Sequence, residues 1–299
     1  MPLFKPVSVS DRAWIYPLAY TENTQNADYS FMNLLAWSNL FNIQSAEISG
    51  CCVIETIMDG ELTYSFPLGA ETDERLRTVI ETLRGRQSEK PLRLQSVTPD
   101  TRGRLESLFP SKFSFTARPD LYDYIYLAEK LASLAGKKLH AKRNYINNFT
   151  ASFNWRFDPI NETNLSECEN LYELWANSRQ DAETDINGEY EAFKKMLDNF
   201  TPLRLDGGIL TANGNACAFT VGERLSRETY VIHFEKARQD VIGAYQMINR
   251  EFVRHVLSLY PEVKYINREE DMGMESLRKS KRSYYPDSFV EKYTAIWAG

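Results

Sequence analysis

"CCVIETIMDGELTYSFPL", residues 51–68, is a pair of β-rich runs joined by Asp59-Gly60. Asp followed by Gly tolerates the positive φ of a tight two-residue turn, which makes this a strong local hairpin signal. "GGILTANGNACAFTVG", residues 207–222, repeats the form around Asn213-Gly214. The surroundings of the two hairpins also match. Before the first, Phe31, Leu34, Leu35, Trp37 and Phe41 recur at helical intervals. After it come a helix over Leu76, Val79, Ile80 and Leu83, a buried strand in "PLRLQSV", a helix at Leu105, Leu108 and Phe109, and strand material in "KFSF" and "YDYIYL". The second hairpin follows a strand, "SFNWRFD", and helices at Leu171, Leu174, Trp175 and at Phe193, Met196, Leu197. Beyond it lie the strand "TYVIHFE", a long helix (Met247, Ile248, Phe252, Val256), the strand "VKYIN", a helix at Met274 and Leu277, and one final strand, "SFVEKYTAIWA". Helix, hairpin, helix, strand, helix, strand therefore occurs twice. This predicts two α/β lobes, residues 1–135 and 136–299, each a mixed, mostly antiparallel sheet flanked by helices.

The whole chain bounds the chemistry. Its 299 residues exceed one ordinary core, and 43% hydrophobic and 13% aromatic residues support a packed globular protein. Net charge is −6, so no global field draws the protein to polyanions, and any such site must be local. Cys51 and Cys52 are adjacent in an apolar strand and face opposite ways, and no CxxC pair exists, so neither a disulfide nor a cysteine metal site is expected. The start lacks the apolar core of a signal peptide, and no window reaches the roughly 18 apolar residues of a membrane span, so a cytoplasmic location is expected.

Two charged blocks stand out. "GKKLHAKRNYINNF", residues 136–149, lies in a stretch without Asp or Glu from Lys130 through Phe157. On one continuous helix, Lys138, Lys142, Tyr145 and Phe149 share a face, so two ammoniums extend an aromatic stripe. Snorkelling of the lysine stems explains this pattern about as well as an anion site built on Lys142 and Arg143. "INREEDMGMESLRKSKRSYYP", residues 266–286, runs from a strand end through three acids into a helix bearing Arg278, Lys279, Lys281 and Arg282. Helix-dipole complementarity explains that charge order. It does not explain Asn267, Glu269, Glu270 and Asp271 at a strand's carboxyl end, where open α/β sheets bind ligands.

These two blocks, with "DYSFMNLLAWSNLF" at residues 28–41, resemble the signature blocks of the phosphatidylglycerol lysyltransferase C-terminal domain family, in that family's order. The resemblance implies tandem acetyltransferase-like lobes, related to the Fem-type enzymes that transfer amino acids from tRNA. By motif position it singles out Lys138, His140, Lys142, Arg143, Asn144 and Asn147 in the first block. In the second it singles out Asn267, Glu270, Asp271, Gly273, Leu277, Arg278, Lys281, Tyr284 and Pro286.

Acyl transfer needs a base for the acceptor, stabilisation of the tetrahedral oxyanion and a proton for the leaving group. Glu270 or Asp271 is the first candidate base, Glu235 the second, and Tyr284 can protonate the leaving group. His233, in an apolar strand, reads first as a satisfied core residue. Lys138, Lys142, Arg143, Asn144, Asn267, Arg278 and Lys281 are the expected anion- or substrate-binding residues. Gly243-Ala244 in "KARQDVIGAYQ" is all that matches the Gly-rich loop that cradles the pyrophosphate of acyl-CoA. Gln239 is one residue out of place there and Asp240 is negative; the other half offers only Gly69-Ala70. An aminoacyl-tRNA donor instead needs a basic path and an acid for the ammonium group, and both residue types are present. The expectation is an aminoacyl transferase acting from tRNA on an amine or hydroxyl acceptor. An acyl-CoA-dependent N-acyltransferase and a non-catalytic binding module for an acidic metabolite are the alternatives.

Overall fold

In the computed structural model, which describes residues 2–87, 90–178 and 186–298, both turns take the expected form. Asp59 and Gly60 have φ of 53° and 77°, and Asn213 and Gly214 have 51° and 83°. Two successive left-handed residues give a turn whose twist matches the flanking strands.

The chain divides into two compact units. The first comprises Met1–Asp123, Glu270–Gly273 and Phe289–Gly299; the second comprises Tyr124–Glu269 and Met274–Ser288. Residues 124–135 therefore stand in the second unit, and no single cut at 135/136 separates the two.

The first half of the chain runs β1 (Lys5–Pro6), α1 (Arg12–Glu22), α2 (Phe31–Ala36), β2 (Gln44–Ile48), β3 (Cys51–Met58), β4 (Glu61–Ser65), α3 (Asp73–Arg86), β5 (Arg93–Val97), α4 (Pro99–Leu108), β6 (Phe113–Ala117) and β7 (Asp123–Leu127). The second half runs α5 (Ala128–Ser133), α6 (His140–Ser152), β8 (Trp155–Pro159), α7 (Leu165–Asn177), α8 (Ile186–Asp198), β9 (Asp206–Ala212), β10 (Asn215–Arg224) and β11 (Thr229–Ala237). It ends with α9 (Ala244–Leu259), β12 (Tyr265–Asn267), α10 (Glu275–Arg282), β13 (Ser288–Val290) and β14 (Tyr293–Trp297).

Among the described residues the strands form two mixed, mostly antiparallel sheets, as the duplicated order predicts. One has the order β1-β2-β3-β4-β5-β14-β6, the other β8-β9-β10-β11-β12-β7-β13. The parallel pairs β4·β5 and β11·β12 occupy equivalent places. In the sixth place the two halves have exchanged strands. The first sheet takes β14 from the chain's end, and the second takes β7 from its middle. "SFVEKYTAIWA", expected as one strand, is thus two strands in different sheets. The break falls at Glu291-Lys292, where Lys292 turns into a buried acidic niche rather than staying in register.

Each sheet is covered by helices whose sequences favour them locally. In α3, the Thr72 hydroxyl accepts the Arg75 N–H at 3.2 Å, acids stand in the first turn and Arg84 and Arg86 in the last. Its buried face is Leu76, Val79, Ile80 and Leu83; each contributes about 1.5–3 kcal/mol through apolar burial. In the second unit α9 buries Met247, Ile248, Phe252, Val253 and Val256 in a core with Leu210, Ala218 and Tyr230. The four cysteines are buried and unbonded to one another.

Candidate functional site

The second unit gathers its charged groups where β11 and β12 end, and a bend in the backbone makes this possible. Glu269 has φ +58°, a left-handed conformation costing a non-glycine residue about 1–2 kcal/mol. Four hydrogen bonds hold it there. The Asn267 side-chain oxygen accepts the Glu269 N–H at 2.6 Å, and the Glu269 carbonyl accepts from Tyr124 N–H at 3.2 Å and from the Lys281 ammonium at 3.1 Å. The Arg268 N–H donates to the Tyr124 carbonyl at 3.0 Å. Asn267 and Lys281, both buried, are thereby committed to shaping the loop.

The bend delivers two side chains to β11, where His233 and Glu235 stand two residues apart on one face. The Arg268 guanidinium donates to Glu235 at 2.9 Å, and the Asn249 amide of α9 donates to the other Glu235 oxygen at 2.9 Å. Glu235 therefore has both oxygens occupied, and its geometry fits the orientation of Arg268 better than proton abstraction. Burial alone would lower the Arg268 pKa; Glu235, Tyr126 and Tyr284 reverse that and keep the cation charged. Its Nη1 and the Asn249 Oδ1 are buried without a hydrogen-bond partner among the described residues.

Tyr284, just beyond α10, is buried and packs its ring against both cations. Arg268 lies 5.0 Å and the Lys142 ammonium 4.2 Å from the ring centroid. Burial pushes the phenol above its ordinary range, so it is a neutral O–H donor. Lys142, on the first turn of α6, makes no ion pair among the described residues. Its pKa is lowered to about 8 by burial and then by the like charge of Arg268.

The second feature is His233, whose side chain is 2% exposed. Its Nδ1 lies 2.8 Å from Glu269 and its Nε2 3.4 Å from buried Glu223. Burial opposes the charged ring, but the two carboxylates outweigh it and push the pKa up to about 9. With an acceptor at each nitrogen, the ring is an imidazolium near neutrality. Glu269, 20% exposed, is the outer member of this Glu223–His233–Glu269 row.

The remaining expected residues lie elsewhere. Lys138 is exposed in a 3-10 turn and stands 5.4 Å from the Tyr285 ring. Arg143 donates to the Leu134 carbonyl and to that of Gly136 at 2.7 Å, closing the turn before α6. Asn144 pairs with His140 one turn away, and Arg278 lies 3.6 Å from Glu275 on its own helix. Asp271, 1% exposed, accepts the Gly273 N–H at 2.9 Å. Glu270 contributes to the field that holds Lys292 charged, and both acids belong to the first unit. A hollow of about 460 Å³ at β8, β9 and the start of α7 contains none of these residues.

Gly243-Ala244 has a packing explanation. Gly243 has φ +92°, and a Cβ there would sit 2.6 Å from the Tyr145 carbonyl of α6. The Ala244 N–H is taken by Val241, and Asp240 is ion-paired with Arg238 at 2.6 Å. In the first unit the matching Gly69 N–H donates to Glu22 at 2.5 Å. Gly243→Ala should destabilise the protein by about 1–3 kcal/mol through strain and overpacking, read as a lower midpoint in urea. An unchanged midpoint would show that α6 yields easily.

Arg268, Asn249, Glu223 and Glu269's link to His233 were not predicted. One signal existed: Arg268 is the first residue beyond β12, which pairs in parallel with β11, the strand that carries Glu235.

Comparison with known proteins now adds the family. A model of the family described as phosphatidylglycerol lysyltransferase, C-terminal, matches residues 21–296. The chain is 36% identical to a Bacteroides thetaiotaomicron protein of unknown function, with a TM-score of 0.93 over 99% of this chain and 100% of that one. It shares its fold with the C-terminal domain of a putative lysylphosphatidylglycerol synthetase from Agrobacterium fabrum, at 12% identity and a TM-score of 0.66 over 98% of this chain and 93% of that one. It is also 25% identical over 183 residues to an uncharacterised Mycoplasmoides gallisepticum protein, covering 57% of this chain and 54% of that protein, about half its length.

Proposed function

The chain belongs to the phosphatidylglycerol lysyltransferase C-terminal family, and on that premise we propose that it is an aminoacyl transferase taking its amino acid from aminoacyl-tRNA. One observation carries the choice of donor. A row of carboxylates ending in Glu269 and a net positive cluster at Lys142 and Arg268 share the ends of β11 and β12 in one unit. An aminoacyl ester presents an ammonium group on its acyl side and phosphodiesters on its leaving side. Acetyl-CoA has phosphates but no ammonium on its acyl side, and its usual cradle is closed here by Asp240, Arg238 and the packing of Gly243.

Glu269 receives the ammonium group, with His233 as its positioning residue. The acceptor's nitrogen or oxygen forms the new bond to the ester carbonyl carbon, and the C–O bond to the ribose breaks. The leaving oxygen takes the Tyr284 proton. The tyrosinate, stabilised by Arg268 and Lys142, recovers a proton from the acceptor. Glu235 and Asn249 position Arg268. The acceptor is an amine or a hydroxyl.

Purified protein incubated with labelled aminoacyl-tRNAs should deacylate one or a few of them in an acceptor-dependent manner and leave acetyl-CoA intact. Saturable coenzyme A binding with no tRNA interaction would overturn the assignment. Inertness towards both donors would leave a binding module as the surviving reading.

A further inference from the structure

We propose that Lys142 and Arg268 form a subsite for a phosphodiester oxyanion, which in the reaction takes the terminal phosphodiester of the donor nucleic acid. The choice of ligand rests on the aminoacyl-tRNA reading; the chemistry rests on the side chains.

Arg268 Nη1 is a buried, charged donor with no partner among the described residues. Groups of this kind are rare because leaving them unpaired forfeits a charge-assisted hydrogen bond. Glu235 balances one of the two cations, and Lys142 remains as a second, half-buried one with no ion-pair partner among the described residues. The charge left over is +1, which fits a monoanion such as a phosphodiester. Tyr284 presents its ring to both cations. The amino end of α6, a 13-residue helix whose third residue is Lys142, adds its dipole. Asn249 Oδ1 is an unpartnered acceptor on the same Glu235–Arg268 cluster. It calls for a donor on the ligand beside the oxyanion, which a ribose 2′-hydroxyl supplies.

The site binds only while Lys142 is charged. The groups facing it are Arg268, beyond β12, and the ring of Tyr284, beyond α10. Arg268 stays charged and the Tyr284 phenol stays neutral between pH 7 and 9, so affinity should be level up to the Lys142 pKa, about 8. It should then fall about tenfold per pH unit.

A fluorescein-labelled CCA trinucleotide, titrated at fixed salt and followed by anisotropy, tests this directly. Inorganic phosphate should compete with it. Lys142→Met should weaken binding about ten- to hundredfold at pH 7, the worth of one charge-assisted hydrogen bond. Lys142→Arg should bind within threefold of the parent and lose the fall above pH 8. A trinucleotide affinity unmoved by Lys142→Met would overturn the subsite. So would a flat pH profile in the parent, or binding to phosphatidylglycerol vesicles without binding to the trinucleotide. Should Lys142→Met fail to fold, the parent and Lys142→Arg pH profiles decide alone. Trinucleotide binding without aminoacyl transfer would leave the subsite standing and overturn the functional reading. Transfer indifferent to Lys142 would do the reverse.

Discussion

Replacing Lys292 by Met should remove about 3–5 kcal/mol of folding stability, the usual cost of deleting one partner from a buried ion network. That is a large share of the roughly 5–15 kcal/mol that holds a protein of this kind together. Lys292 is 3% exposed, and its ammonium lies 2.6 Å from Asp28 and 2.7 Å from Asp123, which is fully buried. The acids are tied in turn. Asp123 also accepts the Ala27 N–H at 2.8 Å, and Asp28 accepts the Ser96 hydroxyl at 2.5 Å. Burial raises the Asp123 pKa, and Lys292 is the main influence opposing it. Without the lysine, the Asp123 pKa climbs further. The deficit of the variant should therefore shrink as pH falls and the carboxyl protonates. Adding Asp123→Asn to Lys292→Met should recover part of the loss by removing the stranded charge. Urea unfolding of the three proteins at neutral and acid pH measures all of this. A loss under about 1 kcal/mol would mean that water reaches the niche.

The same network shows where sequence reading stopped. Both hairpins, α3 and α9 could be read because their signals are local: a turn dipeptide, or apolar residues at fixed spacing. The pairing of Lys292 with Asp28 spans 264 positions and leaves no periodic trace. The exchange of β7 and β14 escaped for the same reason, since a strand's own pattern does not say which sheet it joins. The basic block was read in part. Lys142 is half-buried against the Tyr284 ring, and the expected single helix starts as a 3-10 turn at Lys137. Tyr145, expected on one stripe with Phe149, is 45% exposed while Phe149 is buried. Arg143 was judged by its charge alone, and two backbone carbonyls now account for it. His233 is the satisfied buried residue its strand suggests, but its partners Glu223 and Glu269 lie 10 and 36 positions away and leave no local trace.

Stability should fall as pH rises from about 6.5 to about 9, by roughly 3 kcal/mol, as the His233 imidazolium is lost. The folded pKa, about 9, lies above the ordinary value of 6.5, and each unit of difference is worth about 1.4 kcal/mol. A folded pKa above the unfolded one means the folded state binds the proton more tightly. The contribution is complete below the unfolded pKa and is lost as pH rises through the folded one. Lys142 acts oppositely in an overlapping window. Its folded pKa, about 8, lies below the ordinary 10.5, so the penalty for its burial is relieved as pH rises through that range. The two slopes partly cancel in the parent. The His233 effect should therefore be measured in a Lys142→Met background, comparing that protein with the same protein carrying His233→Gln. The pair should differ by several kcal/mol at pH 6 and converge towards pH 9.5. A difference that stays constant across this range would mean that His233 does not gain its proton on folding. His233 would then be a neutral ring between Glu223 and Glu269, and its role in fixing Glu269 for an ammonium group would fail.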